Sequence, residues 1–277
     1  MTTDPADQPA ADETGEGLAK LTRSLDLLWS GGERPRPARG PKPGLTLERI
    51  VVTAIDLADR EGLGALSMRK VAGELGVGTM SLYRYVPGKG ELIDLMVDHV
   101  NGPEEDLAER RGRDWRATME FIAESSWTLY TTHSWILQVN QARPILGPNS
   151  MAGFEFALEA LDGLGLSGQE RVGLLVSLDN LVTGAARSHV LYQQAAQQSG
   201  VTDEEFWNTQ GPYVVRAMRD GAFPLMEALP EDAFSATGEE IMRFGLEALL
   251  DGFAALIASR AGRDGAAPAT GPEPPRT

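Results

Sequence analysis

The sequence predicts an all-α fold, on three observations. β-branched residues never fall in alternating runs, so no segment has the period-two pattern of a half-buried strand. Apolar residues recur instead at i, i+3, i+4 and i+7, the spacing that gathers them on one side of a helix. Three helix starts also pair a hydroxyl with a Glu three residues on: Ser167 with Glu170, Thr202 with Glu205 and Thr237 with Glu240. In such capping boxes each side chain satisfies the other residue's orphan amide. About ten helices are expected.

Composition sets the frame. The 277 residues carry 25 Lys+Arg against 40 Asp+Glu, a formal net charge of −15, and 42% of them are hydrophobic. That is enough apolar side chain for a sizeable core, and an overall basic coat is excluded, though a local basic patch is not. The absence of cysteine removes disulfides, thiolate metal sites and Cys nucleophiles. No apolar run reaches membrane-spanning length, and the acidic start of the chain lacks the apolar core of a secretion signal, so a soluble cytoplasmic protein is expected.

Residues 1–17 hold five carboxylates and no Lys or Arg, which predicts a disordered acidic tail. Leu18, Leu21, Leu25 and Leu28 then form one stripe of a short helix over residues 18–30. A helix that short is not stable alone in water, so it should dock on the body of the protein or on a second copy. Residues 31–44 follow as a Pro- and Gly-rich arm carrying Arg34, Arg36, Arg39 and Lys42. Its prolines break any helix, leaving either a solvated tether or a basic strand that follows phosphates.

From residue 45 to 101 the pattern sharpens. Leu47, Ile50, Val51, Ala54, Ile55 and Ala58 make a helical stripe that Gly62 stops. The run Leu66–Leu92 reads LSMRKVAGELGVGTMSLYRYVPGKGEL. Ser67 caps a short helix whose inner face is Val71, Ala72 and Leu75, and Gly76 supplies the turn. A second helix, Thr79 to about Tyr85, turns Leu82 and Val86 inward. A small Ala at the crossing, a turn Gly and a buried Leu are what two closely crossing short helices require, so the run reads as a helix-turn-helix. With Leu82 and Val86 inward, Thr79, Met80, Ser81, Tyr83, Arg84 and Tyr85 project outward, an arrangement suited to a major groove. From Ser67 to Gly90 four basic side chains, Arg69, Lys70, Arg84 and Lys89, face one acidic residue, Glu74.

Thr46 to about Asn101 resembles the tetracycline-repressor-like (TetR/AcrR) transcriptional regulators. The resemblance rests on the A-x-x-E-G turn from Ala58 to Gly62 and on the whole Leu66–Leu92 run. It implies that these residues are the family's helices one to three and the start of its fourth. Ser67, Arg69, Thr79, Met80, Ser81, Tyr83, Arg84, Tyr85 and Lys89 then match its usual DNA contacts. Thr46, at the head of the first helix, and Arg36, Arg39 and Lys42 of the arm complete the candidate DNA-binding set. Val86-Pro87-Gly88 stands where many members have Phe and a Ser or Asn before the Lys.

Residues 113–261 carry 9 basic side chains and 19 acidic ones, which suits a task other than operator contact. The resemblance implies dimerisation and capture of a small-molecule effector. The helices over Gln169–Gln198 and Ile241–Ile257 are apolar around more of their circumference than a surface helix needs, consistent with a homodimer interface or with burial inside one chain. Aromatic residues interleaved with polar ones mark a candidate pocket: Phe121, Trp127, Tyr130, Trp135, Met151, Phe154, Phe156, Tyr192, Trp207 and Tyr213 beside Asn140, Arg143, Asp179, Asn180 and His189. Of these, Trp127, Tyr130, Asn140, Arg143, Phe154, Asp179, Asn180 and His189 are the candidate ligand contacts. Asp179 and Asn180 lie mid-helix, where burial would demand partners. Arg143-Pro144 resembles the Arg-Pro near the inducer site of the tetracycline repressors, but Asn140 stands where they have an imidazole, so no metal is expected. His99, His133 and His189 have no metal-ligand spacing, and no catalytic or nucleotide-binding motif is present. No cofactor is expected, and residues 263–277 should be a disordered tail.

The expectation is therefore a cytoplasmic homodimeric repressor that binds a palindromic double-stranded DNA operator and is released by a small molecule. Two other readings fit the same residues: a regulator that activates or has a vestigial pocket, and a helical small-molecule-binding protein or enzyme with an incidental helix-turn-helix.

Overall fold

The computed structural model describes residues 9–30, 44–102, 111–112, 114–219, 221–230 and 232–264. They form α-helices α1 (Pro9–Trp29), α2 (Leu47–Glu61), α3 (Met68–Glu74), α4 (Thr79–Leu82), α5 (Lys89–Val100) and α6 (Trp115–Thr132). A 3₁₀ turn, η1 (Ser134–Gln138), precedes α7 (Pro148–Ala160), α8 (Gly168–Ser199), α9 (Asp203–Arg219), α10 (Pro224–Glu227) and α11 (Gly238–Asp264). No strand occurs among the described residues, so the expected all-α class holds. No helix among them is long and apolar enough to cross a membrane.

The chain divides into two compact units. One comprises residues 1–113 and 132–160, the other 114–131 and 161–277. The acidic half is thus not one block: η1, the loop after it and α7 group with helices α1 to α5.

In the first unit, Thr46 caps α2 by accepting the Arg49 N–H at 3.2 Å, and Ile50, Val51, Ala54, Ile55 and Ala58 are buried as the stripe requires. Gly62 closes α2 with φ +81, where a side chain would be strained. Ser67 caps α3 through the Lys70 N–H. Gly76, with φ +67, lets the Val77 N–H reach back to the Ala72 carbonyl at 3.0 Å and turns the chain into α4. Leu82, Val86, Leu92 and Met96 then complete a core with no solvent exposure at any of the four.

Two expectations are corrected at the N-terminus. Helix α1 begins at Pro9, so residues 9–17 of the expected disordered tail are helical; residues 1–8 lie outside the described set. The docking face also differs from the leucine stripe. Leu18 and Leu21 are exposed, whereas Ser24, Leu27 and Leu28 are buried, because the helix seats against α5 only along its second half. Helix α7 starts at Pro148, and its cap comes from α5. The Asp98 carboxylate accepts the Ser150 N–H (3.0 Å), the Ser150 hydroxyl (2.9 Å) and the Asn149 N–H (3.4 Å). Gly147 leaves room for this, since a Cβ there would collide with the Asp98 carboxylate.

In the second unit α8 and α11 pack along their lengths. Leu174, Leu178, Val182, Met242, Leu246 and Leu250 are buried in the seam. All three capping boxes form, with the Ser167, Thr202 and Thr237 N–H groups donating to Glu170, Glu205 and Glu240 at 2.7–2.9 Å. The last helix runs through residue 264, so the first two residues of the expected tail, 263 and 264, are helical; residues 265–277 lie outside the described set.

Candidate nucleic-acid interface and ligand site

The α4 segment presents a surface fixed from beneath. With Leu82 and Val86 both fully buried, Met80 (76% exposed), Tyr83 and Arg84 face solvent, and Thr79, Ser81 and Tyr85 are half-buried beside them. The helix itself spans only Thr79–Leu82; Tyr83–Tyr85 continue as a turn in which the Tyr85 N–H donates to the Leu82 carbonyl at 2.8 Å. Apolar, hydroxyl, phenolic and guanidinium groups in one short row match the methyls, acceptors and phosphates of a major groove.

The flanking cations divide into free and committed ones. Arg69 is exposed and makes no ion pair among the described residues. Lys70 is tied to Glu61 at 2.7 Å, and that bond holds the Glu61 carboxyl below its usual range. Arg60 bonds Glu74 across the same α2–α3 face at 2.9 Å. Lys89 donates its ammonium to the Leu63 carbonyl at 3.1 Å, bracing the α2–α3 turn. Thr46 and Ser67 both serve as helix caps. Arg36, Arg39 and Lys42 lie outside the described residues.

The candidate ligand contacts separate. Trp127, Tyr130, Asp179, Asn180 and His189 belong to the second unit, and Asn140, Arg143 and Phe154 to the first. Within the second unit, buried Tyr130 donates its hydroxyl to Asp179 at 2.7 Å. Burial, and then the Asp179 carboxylate, raise the Tyr130 pKa far above a free phenol's, so it stays a donor. The Trp127 and His189 rings lie 5.2 Å apart, centroid to centroid. Asp179 and Asn180 are exposed on the single chain rather than buried, since α8 turns its apolar seam the other way. In the first unit Asn140 accepts the Ala142 N–H at 3.0 Å, Arg143 is exposed and Phe154 is 39% exposed.

Several polar centres have no local sequence signal. Asp59 of α2 accepts the Trp135 indole N–H at 2.9 Å and the His133 Nδ1 at 2.9 Å, so η1 is bonded to the first DNA-binding-domain helix. Trp135 is 1% exposed and belongs to the core of the first unit. Asp98 and its α7 cap are the second such centre. Both join residues more than fifty positions apart, and only the folded chain brings them together.

A buried helix-turn-helix with an exposed Met-Tyr-Arg row, followed by a larger helical region, defines a bacterial DNA-binding regulator. The family model for bacterial regulatory proteins of the tetR family matches residues 50–96, and the one for the tetracyclin repressor-like C-terminal domain matches residues 109–257. The chain belongs to the TetR family of transcriptional regulators. It is 48% identical over 246 residues to the HTH-type transcriptional repressor DrrR1 of Streptomyces coeruleorubidus, covering 89% of this chain and 90% of that one. The apo structure of ActR from Streptomyces coelicolor matches at 30% identity and a TM-score of 0.60, over 82% of this chain and 100% of ActR. The structure of ActR in complex with actinorhodin matches at 28% identity and a TM-score of 0.53, over 77% of this chain and 99% of ActR.

Proposed function

We propose that this chain is a repressor that binds a palindromic operator in the cytoplasm as a homodimer and is released by a small molecule. The observation that carries the reading is the exposed Met80, Tyr83 and Arg84 row, held rigid by buried Leu82 and Val86. A repressor relative at 48% identity and a ligand complex of ActR support the two finer parts of it.

In this reading Thr79, Met80, Ser81, Tyr83, Arg84 and Tyr85 enter the major groove. Arg69, with the Ser67 and Thr46 hydroxyls, meets phosphates, and Arg36, Arg39 and Lys42 add charge along the backbone. Lys89 acts through the turn it braces. Dimerisation uses the faces of α8 and α11 turned away from their shared seam, where Val172, Val176, Ile241 and Phe244 are 42–76% exposed. Two copies fix two half-sites roughly one helical turn, ~34–36 Å, apart. The proposed effector contacts are Trp127, Tyr130, Asp179, Asn180 and His189 in the second unit; Asn140, Arg143 and Phe154, in the first, are proposed contacts on residue type alone. Effector binding shifts the population away from the DNA-competent state.

Tyr83→Ala and Arg84→Ala test the reading directly. Each should cost about 1–3 kcal/mol of operator binding and relax specificity while leaving the dimer intact. A normal footprint from both would overturn the recognition-helix assignment. Deleting residues 34–42 should weaken DNA binding and flatten its salt dependence, since each phosphate contact releases counterions. Unchanged binding would make the arm a tether.

A further inference from the structure

We propose that α1 is a positioning brace for the DNA-reading helices, clamping the first half of α5 to the turn that precedes α7. The residues of α1 precede both family-model matches, which begin at residues 50 and 109, yet its second half is built into the first unit. Ser24 is fully buried and donates its hydroxyl to Asp94 of α5 at 2.6 Å. Arg23 donates to Glu91 at 3.0 Å, and the Glu91 side chain is 6% exposed. Lys20 lies against Gly90 so closely that a Cβ there would collide with it. Leu27 and Leu28 are buried, and Trp29 donates its indole N–H to the Leu146 carbonyl at 3.1 Å.

The placement of these bonds gives them their consequence. Gly90, Glu91 and Asp94 lie in the first two turns of α5, directly after the Thr79–Val86 segment that presents the candidate base contacts. The other end of α5 is bonded to α7 through Asp98, Asn149 and Ser150. Leu146, held by Trp29, lies three residues before Asn149. Helix α5, helix α1 and the segment Leu146–Ser150 therefore form a closed ring of polar bonds. A hinge at the start of α5 would have to extract Ser24 and Glu91 from their partners, and unpaired buried polar groups are costly. The brace thus sets the pose of α4, and it gives the segment containing Arg143 and Pro144 a second connection to α5 besides Asp98.

The consequence for DNA rests on the proposed repressor reading, whereas the mechanical claim does not, and one experiment separates them. Amide hydrogen exchange is measured on the full-length chain and on the Leu27→Asp/Leu28→Asp variant, which removes the apolar half of the seat. The brace predicts at least tenfold faster exchange in residues 89–95 and in residues 146–150, with α8 and α11 as protected as in the parent chain. Binding to a duplex carrying the chain's own upstream region should weaken several-fold with an unchanged salt slope, because no phosphate contact is lost. If α1 exchanges freely while residues 89–95 and 146–150 keep their protection, the proposal is wrong and α1 is a passenger. If the double variant unfolds, Arg23→Ala/Ser24→Ala gives the milder form: faster exchange in residues 89–95 supports the brace, and unchanged exchange overturns it. Loss of protection without any DNA binding by the parent chain would retain the brace and overturn the repressor reading.

Discussion

Each unit has its own balance of apolar packing and polar bonds. In the first, long-range polar bonds pin elements that are far apart in sequence: Asp59 to η1, Asp98 to α7, Ser24 and Arg23 to α5. In the second, an apolar seam joins α8 to α11, its capping bonds lie within four residues of one another, and the long-range polar bonds, Tyr130 to Asp179, Arg116 to Asp251 and Arg260 to Glu170, add to that seam. Exposure differs in step. Most of the large apolar side chains left in solvent belong to the second unit, including Tyr213 (74%), Leu225 (85%), Phe234 (72%) and Phe244 (76%). Large apolar side chains left in solvent suit the association surface that the proposed dimer requires. The first unit keeps fewer large apolar side chains in solvent, and the second leaves more of them for the proposed dimer to cover.

The largest effects should come from charging the two units at equally exposed positions. Phe244→Glu in α11 is expected to cost at least about 2 kcal/mol of self-association, the scale of an interface hot spot, read as a shift toward monomer in sedimentation. Met80→Glu in α4 should leave the sedimentation unchanged and abolish operator binding. If Phe244→Glu still sedimented as the parent, the second unit's exposed face would not be its dimer interface.

Removing a polar partner should separate the units by a smaller margin. Asp98→Ala strands the Asn149 and Ser150 donors at a half-buried helix start, at a cost of about 2–3 kcal/mol. Thr237→Ala deletes a solvent-exposed cap and should cost about 1 kcal/mol. Chemical denaturation of the two variants beside the parent checks the order; equal costs would erase the distinction. Asp59→Asn should fall near the lower value, about 1 kcal/mol, since one amide oxygen still accepts from Trp135 while the His133 bond is lost.

The same division explains what could be read before the chain was folded. Everything governed by neighbours within about four residues was legible. The three capping boxes, the Gly62 and Gly76 turns, the buried Leu82 and Val86, and the outward Met80–Tyr83–Arg84 row all follow from local spacing. Where a distant residue competes, local spacing misleads. Ser150 is a good cap by type, but Asp98 reaches it first. Trp135 carries no local sign that its N–H is bonded to Asp59, 76 positions away. The Leu18–Leu21 stripe is regular, yet α5 meets only the later turns of α1, where a serine is buried for the sake of Asp94. The candidate effector residues were least legible. Mid-helix Asp179 and Asn180 imply burial from sequence, but which side of α8 packs on α11 is decided by two long helices at once.

The smallest effect is in pH, and there the units should move in opposite directions. Glu170 ionises at about 2 in the folded chain, because its carboxylate accepts the Ser167 N–H and then the Arg260 guanidinium. A free Glu ionises near ~4.3. A carboxyl held below its unfolded value adds stability above that value and loses it as pH falls through the folded one, so this contribution drains between about pH 4.3 and 2. Glu205 and Glu240 are lowered likewise by the Thr202 and Thr237 N–H groups. Asp94, in the seat of α1, is raised by burial, with the Ser24 hydroxyl only partly offsetting it. Its ionisation opposes folding, so protonation as pH drops from neutral favours the folded state. Glu170→Gln should therefore flatten the acid side of the denaturation-midpoint profile, whereas Asp94→Asn should be neutral or slightly stabilising at pH 7 and lose that gain on acidification. If Asp94→Asn destabilised at pH 7, the bond from Ser24 would outweigh the cost of burying the charge. The α1 seat would then depend on Asp94 being ionised.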